Sequence, residues 1–135
     1  MAEALLRDAL KDRSGISVSS AGIGALAGYP ASEHSVTLMA ELGLDISGHR
    51  ARQLTPELIA DANLVLVMET GHKRVIDELE PTARGKVHRL GEWHDLEIPD
   101  PHRKPRSAFE EALKKIEQGV NDWAKKIAKP EPERT

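Results

Sequence analysis

A chain of 135 residues with 39% hydrophobic and 30% charged side chains reads as one globular domain, large enough to bury a single core. Its formal net charge of −3, with no basic arm or stripe, argues against a nucleic-acid partner, and no apolar run approaches membrane-spanning length. Cysteine is absent, which removes disulfides, thiolate metal sites and thiol nucleophiles together. The first residues are charged and amphipathic, unlike a secretory signal, so a cytoplasmic location with no membrane partner is the expectation.

Ala2, Leu5, Leu6, Ala9 and Leu10 recur at helical spacing and predict a helix within residues 1–13, stopped by Ser14-Gly15. Ile16–Ser20 alternates as a short strand does, and the Gly- and Ala-rich stretch from Ala21 to Ala31 reads as a surface loop. A helix is predicted from near Ser32, with Val36, Met39, Ala40 and Leu42 on its apolar face and Gly43 at its stop. After a polar crossing at residues 46–53 comes a short helix with Thr55 as N-cap and Pro56 first inside. Leu64–Met68 is apolar on both faces, the pattern of a strand in the middle of a parallel sheet covered on both sides by helices.

A helix from about Thr70 to Leu79 follows, and Val87–Leu90 reads as a weaker edge strand. Ser107 is expected to cap a long helix whose inner face carries Phe109, Leu113, Ile116, Val120, Trp123 and Ile127. Residues 1–128 therefore form the predicted domain. The proline- and charge-rich residues 129–135 are expected to be a disordered tail. Strand–helix alternation of this kind means a layered α/β fold with a parallel sheet.

Few residues outside the crossing and the Asp100 segment suggest chemistry. None of the six histidines makes an i, i+4 pair or a His-Glu-x-x-His pattern, so no metal site is expected. Gly22, Gly24 and Gly28 lack the strand–helix setting of a nucleotide cradle, so no cofactor is expected either. Lys114, Lys115, Lys125 and Lys126 read as a solvated helix face. Ile98-Pro99-Asp100-Pro101-His102 stands out: the Asp-Pro pair forms turns readily, and the Pro101 ring fixes φ and narrows the positions the loop can offer the carboxylate.

Five segments, in this order, resemble the low-molecular-weight protein tyrosine phosphatases in their bacterial form. They are Ala2-Glu3-Ala4 opening the first helix, Ser20-Ala21-Gly22, the His-x-Ala-Arg-Gln crossing at His49–Gln53, the strand ending in Met68-Glu69, and Ile98-Pro99-Asp100-Pro101. The resemblance implies an α/β three-layer sandwich, its small parallel sheet flanked by helices. It also implies that the first, central strand and the phosphate-binding loop are missing from this chain. That strand would lie between Ile16–Ser20 and Leu64–Met68. The family's loop is a cysteine, five residues, an arginine and a serine, ahead of the segment matching Met1, so the chain is expected to be truncated past it.

In such a loop, backbone N–H groups at a helix N-terminus hold the phosphoryl oxygens and depress the thiol pKa. The resemblance makes Asp100 the catalytic general acid and casts Leu26 and His102 as substrate-binding walls, His102 replacing a residue that is most often tyrosine. The histidine matching His49 supports the catalytic loop in the family; with that loop absent His49 is expected to be a plain polar, partly exposed histidine, and Arg52 and Gln53 to be structural. The intact family member would take a phosphotyrosine protein as substrate. An arsenate-reductase-like chemistry needs further cysteines and is ranked low for their absence. Without its nucleophile the chain is expected to be inactive alone. The alternative is a non-catalytic interaction module or a fragment that self-associates through exposed strand edges.

Overall fold

The computed structural model describes residues 1–24 and 27–128. Leu26 and the expected tail at residues 129–135 lie outside the described residues. The fold is α/β, a small parallel sheet flanked by helices. Helix α1 (Ala2–Ala9) ends earlier than its sequence pattern suggests, at Leu10, the one fully buried residue of that stretch. Lys11, Asp12 and Arg13 are exposed and add no apolar surface to reward a further turn.

Helix α2 (Glu33–Glu41) starts where predicted: the Ser32 hydroxyl accepts the Ser35 N–H, and Gly43 takes the left-handed turn at φ +79° after the last turn. Its buried face is Leu38 and Met39, while Ala40 and Leu42, expected inside, are exposed. Helix α3 (Pro56–Asp61) carries the predicted Thr55 cap, whose hydroxyl accepts the Leu58 N–H. At its other end the Lys86 ammonium donates to the carbonyls of Ala60 and Ala62, at 3.1 and 2.6 Å. A cation therefore sits on the negative pole of the helix.

Strand β1 (Val65–Val67) runs parallel to β2 (Val87–Arg89), with Val65 opposite Val87, Leu66 opposite His88 and Val67 opposite Arg89. Between them lie α4 (Thr70–Leu79) and a 3₁₀ segment at Pro81–Lys86. Helix α5 (Arg106–Ala128) begins just before the expected Ser107 cap, directly after Pro105. Its predicted stripe is buried from Phe109 through Trp123. One core cluster joins Leu90, Ile98, Ile116 and Trp123; a second joins Ile59, Val67, Ile76 and Val87; a third joins Leu38, Met39, Phe109 and Leu113.

Ile16–Ser20 is not a strand. It makes no ladder, and Ile16 is exposed, because an alternating segment becomes a strand only where a neighbour pairs with its backbone. Arginines take up its carbonyls instead: Arg7 Nη2 donates to Val18 O at 2.7 Å and Arg52 Nε to Ser20 O at 2.9 Å. Strand β1, predicted in the middle of the sheet, pairs with β2 alone among the described residues. Along Leu64–Met68 runs a cleft of about 820 Å³ whose opposite wall is Ser19–Gly24 and which no β2 residue lines. Among the described residues, no helix is long and apolar enough to cross a membrane.

Candidate active site

The polar end of the cleft is assembled from three loops. The crossing at residues 49–53 holds residues 22–23 and 28–30 from one side. Gly22 N–H donates to Arg52 O, Leu54 N–H to Gly22 O and Gly28 N–H to Ala51 O, while the Gln53 side-chain amide donates to Ile23 O. Short bridges at Gly22–Gln53 and Pro30–Arg50 complete the contact. Arg52 and Gln53, expected only to be structural, hydrogen-bond the neighbouring loop through backbone and side chain.

His49 lines the same cleft, and its Nδ1 lies 3.6 Å from Oε2 of Glu3 on the first turn of α1. Glu3 also accepts the Ser20 hydroxyl at 3.0 Å and meets Arg7 at 3.4 Å. The carboxylate is mostly shielded, its side chain 17% exposed, so three elements converge on one charge. In sequence Glu3 stood out only as part of Ala2-Glu3-Ala4 opening the first helix, and nothing local links it to a crossing 46 residues later.

Asp100 and His102 come from the segment between the 3₁₀ turn at Glu92–His94 and α5, and both line the cleft. Ile98 anchors that segment: it is 2% exposed, and its N–H donates to Met68 O at 3.0 Å. Pro99 and Pro101 each fix a φ angle beyond the anchor. The Asp100 Oδ1 then accepts the His102 N–H at 3.0 Å, closing an Asx turn. Arg103 follows in the left-handed region at φ +63°, uncommon for a residue with a Cβ, and the turn closes with Lys104 N–H donating to Pro101 O. Asp100, His102, His49 and Arg52 therefore share one cleft, and Leu26 lies outside the described residues.

A second carboxylate stands just before the anchor. Glu97 accepts both the N–H and the hydroxyl of Thr70, the first residue of α4, and Arg89 Nη1 approaches it at 3.8 Å. The Thr70 hydroxyl first, then its N–H and the Arg89 charge, holds the Glu97 carboxyl below the usual glutamate range, against the opposing effect of burial. Chemically, the lining of the cleft sets one exposed carboxyl, Asp100, the Arg52 guanidinium and the imidazoles of His49, His72 and His102 among apolar side chains. It can bind an anion weakly and move a proton. Among the described residues, no three His, Cys, Asp or Glu side chains converge on a point that could hold a metal ion.

Residues 1–133 match the family model described as low molecular weight phosphotyrosine protein phosphatase. The chain belongs to that family. EpsP of Ralstonia nicotianae, described as a probable low molecular weight protein-tyrosine-phosphatase, is 51% identical over 127 residues, which cover 94% of this chain and 86% of EpsP. Among solved structures, Wzb of Vibrio vulnificus in complex with benzylphosphonate superposes with a TM-score of 0.86 at 36% identity, over 93% of this chain and 87% of that one. The YwlE arginine phosphatase of Geobacillus stearothermophilus superposes with a TM-score of 0.85 at 34% identity, over 94% and 82%. One phosphatase scaffold thus carries names for two phosphorylated side chains, so substrate has to be argued from the site rather than from the fold.

Proposed function

We propose that this chain is a phosphotyrosine-phosphatase scaffold that retains the proton donor, Asp100, and does not carry the group that attacks phosphorus. The supporting observation is the Asp100–His102 turn at the cleft, in a chain without cysteine. In the complete reaction a cysteine thiolate bonds to phosphorus as the phosphorus–oxygen bond to tyrosine breaks, and the Asp100 carboxyl protonates the departing oxygen. The resulting Asp100 carboxylate next takes a proton from water as the water oxygen attacks phosphorus and the sulfur–phosphorus bond breaks.

Magnitudes separate the two halves of that scheme. Phosphate monoester hydrolysis draws on accelerations of up to about 10²¹-fold, and a positioned general acid supplies roughly 10²–10⁴ of this. Asp100 acting alone leaves the reaction many orders of magnitude short. EpsP, described as a probable protein-tyrosine-phosphatase, supports tyrosine phosphate as the side chain the scaffold is shaped for. His102 at the mouth gives the ring a smaller, more polar neighbour than the tyrosine usual in the family. A phosphorylated protein substrate would be met in the cytoplasm. Purified protein is expected to show no turnover of para-nitrophenyl phosphate; turnover that Asp100→Asn lowers by roughly 10²-fold or more would refute the proposal.

Among the described residues β1 is laddered on one edge, which favours a second reading, a non-catalytic interaction module. A strand with one edge beside a cleft is a template for pairing with another chain, a second copy included. Binding of a phosphotyrosine peptide without turnover, or dimerisation that a charged substitution at Leu66 abolishes, would support this reading over that of an inert scaffold.

A further inference from the structure

Helix α4 begins without the cap its sequence should provide. The N-cap position is Glu69, which makes no side-chain bond to the helix, so the first-turn N–H groups need an acceptor from elsewhere. Glu97 supplies it from 27 residues away, both carboxylate oxygens lying 3.1–3.2 Å from the Thr70 N–H and one accepting the Thr70 hydroxyl. An anion at this end also meets the positive pole of the helix. Arg89, whose side chain is 16% exposed, holds the approach from the other side, with Nη2 on Asp95 at 2.8 Å and Nη1 near Glu97.

Glu97 is bonded directly to Ile98, the anchor of the proton-donor segment, and Ile98 N–H is held by Met68 O, just before α4. Two consecutive residues of one segment are therefore fastened to two neighbouring points of another. Beyond them only a few soft torsions remain before Asp100, since Pro99 fixes φ in between, and Pro101 restricts the chain directly after it. We infer that Glu97 is a positioning residue that sets the Asp100–His102 turn by clamping its segment to the N-terminus of α4. This rests on Asp100 being the proton donor, but the clamp can be tested without that chemistry.

The test is amide hydrogen exchange on the full chain, read at Thr70, Ile98 and His102 against core amides such as Val67 and Leu113. Glu97→Ala should speed exchange at His102 and Ile98 by about tenfold, with the core amides unchanged. Glu97→Gln, which keeps an acceptor oxygen and loses the charge, should fall between native and alanine. Thr70→Val, which removes the hydroxyl from the other side, should reproduce the His102 effect if Glu97→Ala proves too unstable to read. Faster exchange confined to the first turn of α4, with His102 unmoved in both Glu97→Ala and Thr70→Val, would reduce Glu97 to a helix cap and overturn the inference. Asp100→Asn retains the oxygen that accepts the His102 N–H, so it should leave exchange at His102 near native, keeping failure of the clamp distinct from failure of the proton-donor reading.

Discussion

A methyl group at position 119 would lie 2.7 Å from both the carbonyl oxygen and Cγ of Leu90, where α5 crosses the end of β2. Alanine normally stabilises a helix interior by roughly 0.5–1 kcal/mol over glycine. Here the contact is with backbone that cannot swing away, and overpacking costs about 1–3 kcal/mol. Gly119→Ala should therefore lower the urea midpoint with an unchanged m-value; a raised midpoint would show that α5 can lift off Leu90 at no cost. Met39, fully buried between α2 and α5, is the opposite case. Met39→Ala leaves a cavity and should cost about 2–5 kcal/mol by the same measurement. The turn at Asp100 was legible in sequence because Pro-Asp-Pro is local and its hydrogen bond spans two residues, whereas the roles expected of Asp100 and His102 came from the resemblance. Glu97 and Lys86 were not legible, since each caps a helix distant in sequence and no spacing rule links them.

Helix boundaries were legible wherever the cap lay beside the helix, as with Ser32, Thr55 and Gly43. Strands fared differently. Alternation in Ile16–Ser20 suggests a strand, yet strandedness belongs to a pair, and the partner edge is not available to that segment among the described residues. The two-faced apolar pattern of Leu64–Met68 did identify β1. It could not reveal that, among the described residues, one of its edges would be laddered and the other not. Capping also has a pH signature. The Thr70 hydroxyl lowers the Glu97 pKa, and the Ser47 hydroxyl does the same for Asp45. A carboxyl with a depressed folded pKa adds stability above its unfolded value, and that stability is lost as pH falls through the folded pKa. Urea midpoints should therefore fall in acid below the ordinary carboxylate range. Glu97→Gln should flatten part of that fall; an unchanged acid limb would show that the Thr70 contact persists equally in the unfolded chain.

Across the whole molecule, α5 is the common surface: its 23 residues span about 35 Å and contribute to two of the three core clusters, while the third closes around β1, β2 and α3. The cleft between β1 and Ser19–Gly24 separates the apolar core from the polar loops that carry Asp100 and His49. If that edge of β1 recruits another chain, light scattering behind size exclusion should show a mass that rises with protein concentration, and Leu66→Lys should restore a single monomer mass. A monomer at every concentration would remove self-association from the account. The catalytic claim is tested most directly by intact mass spectrometry after prolonged exposure to a large excess of an aryl phosphate. The protein should keep its unmodified mass, because it has no thiol on which phosphorus can be carried. A phosphoryl adduct on any side chain would contradict this, and its position would identify the nucleophile.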